Sequence, residues 1–203
     1  MGTQERRARE REARRRTILD AARGLVRVNG FGGTTTRQIA ERCELSEATL
    51  FFYFSSKHEI FISLLEEASR FWTQGLDEIL DTEDSAEDKL VALWGFFGQV
   101  QNEHPEYVHV STYLAHPHTT DAVDDSVRAA LAKSTGENFK RLADVMAGLD
   151  GVDVPRLAAD VLWSSFLGLM VLRQARANLD APEHPTSAEL VGALGLLMSG
   201  LSP

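Results

Sequence analysis

Apolar residues along this chain recur at three- and four-residue spacing. Nowhere do Val, Ile and Thr alternate with polar residues as in a half-buried strand, so the pattern predicts helices throughout. A first helix is expected over residues 6–29. Ile18, Leu19, Ala22, Leu25 and Val26 form its inward face, and Gly30 offers a left-handed stop. Its first turns hold no large apolar residue. They are laced instead with Glu5 and Arg9, Glu10 and Arg14, and Glu12 and Arg16, each Glu four residues before its Arg. Such pairs contribute about 0.2–0.5 kcal/mol each, enough to extend a helix but not to anchor it.

Thr35 with Gln38 reads as a capping box for a short second helix that ends near Cys43. Ser46 caps a third, with Leu45 and Leu50 placed as a hydrophobic staple, and Ser56 with Glu59 opens a long fourth helix to residue 80. The acidic stretch 81–84 then separates an N-terminal head from a C-terminal body, which the fourth helix joins mechanically. Further helices are expected over 86–103, 105–115, 121–149, 155–178 and 188–201. Pro105 and Pro155 suit first helical positions, and Thr186 with Glu189 caps the last helix. The fold class is all-α with about nine helices: a three-helix head at 1–57 and a helical body at 58–203.

Charge sharpens this division. Residues 1–57 hold 12 Lys and Arg against 7 Asp and Glu, a net +5, within a chain whose net charge is −9, so the body carries −14. A basic head on an acidic body points to a polyanion partner for the head alone. No apolar run of about 18 residues exists, and no apolar signal core follows the N-terminal arginines, so neither a membrane span nor secretion is expected. The single cysteine, Cys43, leaves no internal disulfide and fits a reducing cytoplasm. No Gly-rich phosphate loop, nucleophile elbow or metal-ligand motif is present, so neither an enzyme nor a cofactor is expected. His104, His109, His116 and His118 lack the i, i+3 or i, i+4 spacing that aims two ligands from a helix, and no metal is assigned to them.

Two short helices at 37–43 and 47–54, joined by a tight turn at Glu44 and Leu45, would present the second helix to a DNA major groove. Thr36, Thr49, Tyr53 and Lys57 are donors near helix starts or turns, suited to phosphate oxygens. Arg37 matches guanine O6 and N7, Glu47 could accept from cytosine N4 or simply complement the helix dipole, and Ala48 could touch a thymine methyl. Phe52 completes the expected contact set. Ile39, Ala40, Leu45, Leu50 and Phe54 read as the small core beneath. The arginines from Arg6 to Arg16, seven against two glutamates, fit either an arm on flanking phosphates or an A·T-rich minor groove, or a solvated helical extension.

Residues 18 to 65 resemble the N-terminal signature of the TetR family of bacterial regulators. The likeness rests on Ile18, Leu19, Asp20, Ala21, Ala22, the Thr34–Thr36 run, Ile39, Ala40, Ser46, Thr49, Leu50, Tyr53, Phe54, Ser56 and Lys57. Three positions depart from that signature. Glu44 stands where Gly is usual, and a left-handed backbone there would cost about 1–2 kcal/mol. Ala48 replaces a frequent Gly or Pro, and Phe51 a frequent Tyr. The resemblance implies a ligand-responsive repressor that binds a palindromic operator as a homodimer and is released by a small apolar or amphipathic effector. An activator of the same fold, or a helical DNA-binding protein without a ligand, are the alternatives. A protein that merely coats DNA would not carry so acidic a body.

Helices apolar on more than one side need burial on more than one side. The last two helices show this pattern, so Leu162, Phe166, Leu169, Leu190, Leu194, Leu197 and Leu201 are expected at the dimer interface. Aromatics collect in the middle of the body. Most must be core, and the resemblance implies that a few line an effector cavity: Phe71, Trp72, Phe97, His109, Tyr113 and Phe166.

Overall fold

The computed structural model describes residues 2–113, 125–179, 181 and 187–201, and among these it holds nine helices and no strand. They are α1 (Thr3–Gly33), α2 (Thr36–Arg42), α3 (Glu47–Tyr53), α4 (Lys57–Leu80), α5 (Ala86–Glu103), α6 (Pro105–Tyr113), α7 (Asp125–Met146), α8 (Pro155–Ala177) and α9 (Ser187–Leu201). The expected bounds of α5 and the expected end of α4 near residue 80 agree with the structure. The expected cap at Thr186, the start of the seventh helix at 121–124, and His116 and His118 lie outside the described residues. Two compact units result, one from Met1–Ala68 with His104–Arg128, the other from Ser69–Glu103 with Ala129–Pro203.

In the first unit, α1 buries Ile18, Leu19, Ala21, Ala22 and Val26, while Leu25 is half-buried. The helix breaks at Gly30, whose φ of 65° and ψ of −177° suit only a residue without Cβ. One further turn follows, closed by Thr34, whose buried hydroxyl donates to the Gly30 carbonyl at 2.8 Å. Ile39, Ala40, Leu50, Phe54, Ile60 and Phe61 fill the space under α1, and Phe31 meets Phe61 edge-on at 4.3 Å. Arg23 of α1 clamps this packing by donating to Asp20 at 2.6 Å and to Glu67 of α4. Although burial works to lower the Arg23 pKa, the two carboxylates outweigh it and hold the guanidinium above its ordinary value. Helix α6 also belongs here: Val108 and Glu106 are buried, and Nδ1 of His109 lies 3.4 Å from the Val26 carbonyl oxygen of α1.

The second unit packs the rest of α4 with α5, α7, α8 and α9. Leu90, Leu93, Trp94, Phe97 and Val100 form the buried stripe of α5, and Ala158, Ala159, Leu162, Phe166 and Met170 that of α8. Phe96 lies on the backbone of α4 at Gly75, where an added Cβ would stand 2.1 Å from the ring. Helices α4 and α7 meet along a polar seam. Ser69 pairs with Ser134 at 2.8 Å, Thr73 with Asn138 at 3.1 Å, and Arg141 reaches Asp77 at 2.5 Å and Asp81 at 3.0 Å. The acidic stretch 81–84 therefore links α4 to α5 inside this unit. The boundary between the units is crossed by α4 itself, between Ala68 and Ser69.

Candidate functional site

Helices α2 and α3 form a corner fixed by local side-chain caps. The Gln38 N–H donates to Thr35 Oγ1 at 3.2 Å, and the Thr35 N–H donates back to Gln38 Oε1 at 2.8 Å. At the start of α3 the Thr49 N–H donates to Ser46 Oγ at 3.1 Å. Each cap satisfies amides that have no partner within the helix. Between them the chain turns through Glu44, whose φ of 55° is left-handed. The Leu45 N–H donates to the Ala40 carbonyl at 2.9 Å and the Glu44 N–H to the Glu41 carbonyl at 3.1 Å. This is the six-to-one and inner bond pair of a left-handed C-terminal cap, a position that ordinarily selects Gly.

Ile39, Ala40, Leu50 and Phe54 are fully buried under the corner, so α3 is held on one face only. Its other face shows Glu47, Ala48, Thr49, Phe51 and Phe52 to solvent, with Phe52 67% exposed. The expected contact residues are distributed around it. Thr36 donates to Glu47 Oε1 at 2.7 Å, tying the first turn of α2 to that of α3. Arg37 is exposed and donates from Nε to Glu41 Oε1 at 2.9 Å, which raises its pKa and leaves the guanidinium edge outward. Tyr53 is half-buried, edge-on to Phe52 at 5.3 Å. Lys57 is partly enclosed. Its Nζ donates to the Phe31 carbonyl at 3.1 Å and lies 4.4 Å from the Phe31 ring, and burial pushes its pKa down.

A second set of residues, read in the sequence only as a basic run, buttresses α3. Arg15 stacks over the Phe54 ring at 3.9 Å, donates to the Tyr53 carbonyl and pairs with Glu59 at 3.3 Å. Arg11 lies 5.4 Å from the Phe52 ring. Burial works to raise the Glu59 pKa, but the N–H and hydroxyl of Ser55 and the Arg15 guanidinium win, and it is held below the ordinary carboxylate value. The spacing of Arg11, Arg15, Ile18 and Leu19 on one side of α1 was the available signal, masked by the other arginines around them.

In the second unit, four of the six residues expected to meet an effector come together. Phe71 and Trp72 lie 6.3 Å apart, Trp72 and Phe97 5.8 Å, and Phe97 and Phe166 5.0 Å, with Trp163 edge-on to Trp72 at 5.2 Å. Trp72 Nε1 is buried and finds no acceptor among the described residues. Buried donors in this condition are rare, because each forgoes its hydrogen bond to water. His109 lies in the first unit, and the side chain of Tyr113 lies outside the described residues.

The expected interface residues fare unevenly. Leu162 and Phe166 face the chain's own core: Leu162 lines a cavity of about 30 Å³ with Leu90, Met146 and Leu194, and Phe166 packs on Phe97 and Trp94. Leu194 is also buried, Leu169 and Leu197 are half-buried, and the side chains of Leu190 and Leu201 lie outside the described residues. The outward apolar positions of α8 and α9 are Leu157, Val161, Val171, Leu172 and Leu196, all more than 40% exposed.

Comparison with known proteins agrees with this geometry. Residues 18–64 match the family described as bacterial regulatory proteins, tetR family. The HTH-type transcriptional repressor NicS of Pseudomonas putida is 28% identical over 109 residues, which is 51% of this chain and 49% of that protein. This chain therefore aligns with about half the length of that relative. The HTH-type transcriptional activator FasR of Mycolicibacterium smegmatis is 24% identical over 154 residues, 71% of this chain and 70% of that one. Among solved structures, AibR in complex with isovaleryl coenzyme A and operator DNA superposes with a TM-score of 0.71 at 17% identity, covering 91% of this chain and 98% of that chain.

Proposed function

We propose that this chain, which belongs to the TetR family of bacterial regulatory proteins through its residues 18–64, is a ligand-responsive transcriptional repressor that binds a palindromic operator as a homodimer. The observation that carries this reading is the exposed face of α3, a capped helix seated on a buried core and free on the side that shows Ala48, Thr49, Phe51 and Phe52. A helix so presented fits the major groove. Arg37 supplies the bidentate contact to guanine, exchanging part of its hold on Glu41 for the base. Glu47 keeps Thr36 on one oxygen and has the other for a cytosine amino group. Thr49 and Tyr53 serve phosphates. Lys57 does so with the protons not given to Phe31.

Two-fold symmetry is supported by α8. Over an 18-residue window this helix reaches a mean hydropathy of 1.3 and is long and apolar enough to cross a membrane by length and composition alone. It nonetheless carries an Arg156–Asp160 ion pair and buries one stripe in its own unit. A second copy of the chain is the partner we assign to its remaining apolar face, and the half-sites then lie about one helical turn or somewhat more apart.

The effector reading is supported by the Trp72 indole, a donor without an acceptor in an otherwise apolar aromatic cluster. A molecule with an apolar body and one acceptor group, such as an acyl chain on a carboxylate or thioester, answers both features. An acyl thioester is what the AibR complex holds. An activator of the same architecture is the second reading, favoured by the name of the FasR relative.

The test is footprinting upstream of the chain's own gene with the wild type and Arg37→Ala. A symmetric footprint is expected, with a loss of about 1–3 kcal/mol and relaxed preference at one base pair per half-site in the variant. Equal loss on operator and random DNA would refute the Arg37 assignment. Protection of one asymmetric half-site would refute the dimer.

A further inference from the structure

The first turns of α1 sort their charges by face. At 100° per residue, Arg6, Arg9 and Arg16 share one side of the helix, and acids or carbonyls engage them there. Arg6 meets Glu10 at 3.5 Å, Arg16 meets Glu12 at 3.5 Å, and Arg9 donates to the Glu5 carbonyl at 3.4 Å. Arg7, Arg11 and Arg14 fall on the opposite side, together with Arg15. Arg15 is spent on α3. Arg11 lies over the exposed Phe52 ring of α3. Arg7 and Arg14 are exposed, and no carboxylate pairs with them among the described residues. The chain therefore places a neutralised face away from α3 and a cationic face toward it.

From this we propose that the N-terminal extension of α1 is a second DNA-binding element, a rigid cationic rail that lays Arg7, Arg11 and Arg14 on phosphates flanking the base pairs read by α3. The inference rests on the operator reading above and extends it. Arg7 and Arg14 are separated by about 10 Å of helix rise, which matches the axial advance of about three phosphates on one strand. The stack on Phe52 brings the row to the same side as the exposed residues of α3, so a duplex docked on α3 carries its backbone past the arginines. Because α1 is already helical from Thr3, no arm has to be ordered on binding. Phosphate contacts carry no base information, so the rail adds affinity and register but not sequence preference.

The experiment uses the full chain, operator duplexes with flanks extended by about 0, 3 and 6 base pairs on each side, and two triple variants. One removes the cationic face (Arg7→Gln, Arg11→Gln, Arg14→Gln). The other removes the same charge from the opposite face (Arg6→Gln, Arg9→Gln, Arg16→Gln). All substitutions are exposed and near-neutral in helix propensity, and far-UV circular dichroism checks that the fold is kept. The wild type and the opposite-face variant are expected to gain at least about tenfold in affinity as the flanks lengthen. The cationic-face variant gains nothing, and its slope of log K against log salt is shallower by about 2.7 per protomer, three phosphates at about 0.9 each. If the cationic-face variant keeps the flank-dependent gain, or both variants lose it equally, the rail is refuted. If no protein prefers operator to scrambled DNA, the α3 reading fails separately. The rail is then judged on scrambled duplex, where an unchanged salt slope in the cationic-face variant refutes it and the shallower slope supports it.

Discussion

Glu44 occupies a backbone position that ordinarily selects Gly, and its exposed side chain makes no hydrogen bond or ion pair among the described residues. With φ at 55°, its Cβ crowds the neighbouring carbonyl at a cost of about 1–2 kcal/mol, while the two C-cap hydrogen bonds keep the turn in place. Glu44→Gly should therefore raise the stability of the first unit by about 1 kcal/mol, less what the freer unfolded chain gives back. Urea denaturation followed by circular dichroism reads this, and a lower midpoint would show that Glu44 has an unrecognised role. Glu59 makes a second residue-scale case. Its folded pKa lies below its unfolded one, so its stabilisation is complete above the ordinary carboxylate range near 4.3 and drains away as the pH falls through the folded value. Glu59→Gln should lower thermal stability at pH 7, and the deficit should shrink steadily as the pH is lowered through the acid range below the ordinary carboxylate value. A deficit that does not change with pH would mean that packing, not charge, ties Arg15 and Ser55 to this site.

At the scale of the element, what could be read from the sequence was what is local to it. The caps at Thr35, Gln38, Ser46 and Ser56 are pairs three residues apart and declare themselves without knowledge of the fold. The Ser56 box is only half formed: the Glu59 N–H takes Ser56 Oγ at 3.1 Å, but the Glu59 carboxylate turns to Ser55 and Arg15. Helix α8 shows what local pattern leaves open. Its apolar residues populate more than one side, and periodicity alone does not rank those sides. Leu162 and Phe166 are both buried within the chain's own unit, Phe166 against Trp94 and Phe97 of α5 and Leu162 beside Leu90, Met146 and Leu194. Leu157, Val161, Val171 and Leu172 carry the outward side. Leu172→Glu should then leave the helix content intact, shift the chain to a monomer in analytical ultracentrifugation, and weaken operator binding together with dimerisation. A variant that stays dimeric would move the interface off this face. The arginines of α1 were legible as charge, and helical spacing sorts them into two faces, but which face meets α3 depends on a helix distant in sequence.

For the molecule as a whole, the three tryptophans of the chain, Trp72, Trp94 and Trp163, all lie in the aromatic cluster of the second unit. Tryptophan emission, excited selectively over tyrosine, therefore reports on that cluster and on nothing in the first unit. Titration with a series of acyl coenzyme A esters should change the emission saturably. If the ligand releases DNA, its affinity must fall in the presence of operator by the same factor, about 5–150-fold for a typical coupling. Saturation with identical affinity in both conditions would rule that ligand out as the inducer. The composition of the first unit bears on a different use of the protein. Helices α2 and α3 share a packed unit with α6, which is encoded about 40 residues after Ala68, and His109 of α6 lies against the Val26 carbonyl of α1. A chimera that splices residues 1–68 onto another regulator, to rewire a biosensor's output, would leave behind the surface on which α1 rests. The transplantable cassette is a discontinuous one, and α6 must travel with the head it supports.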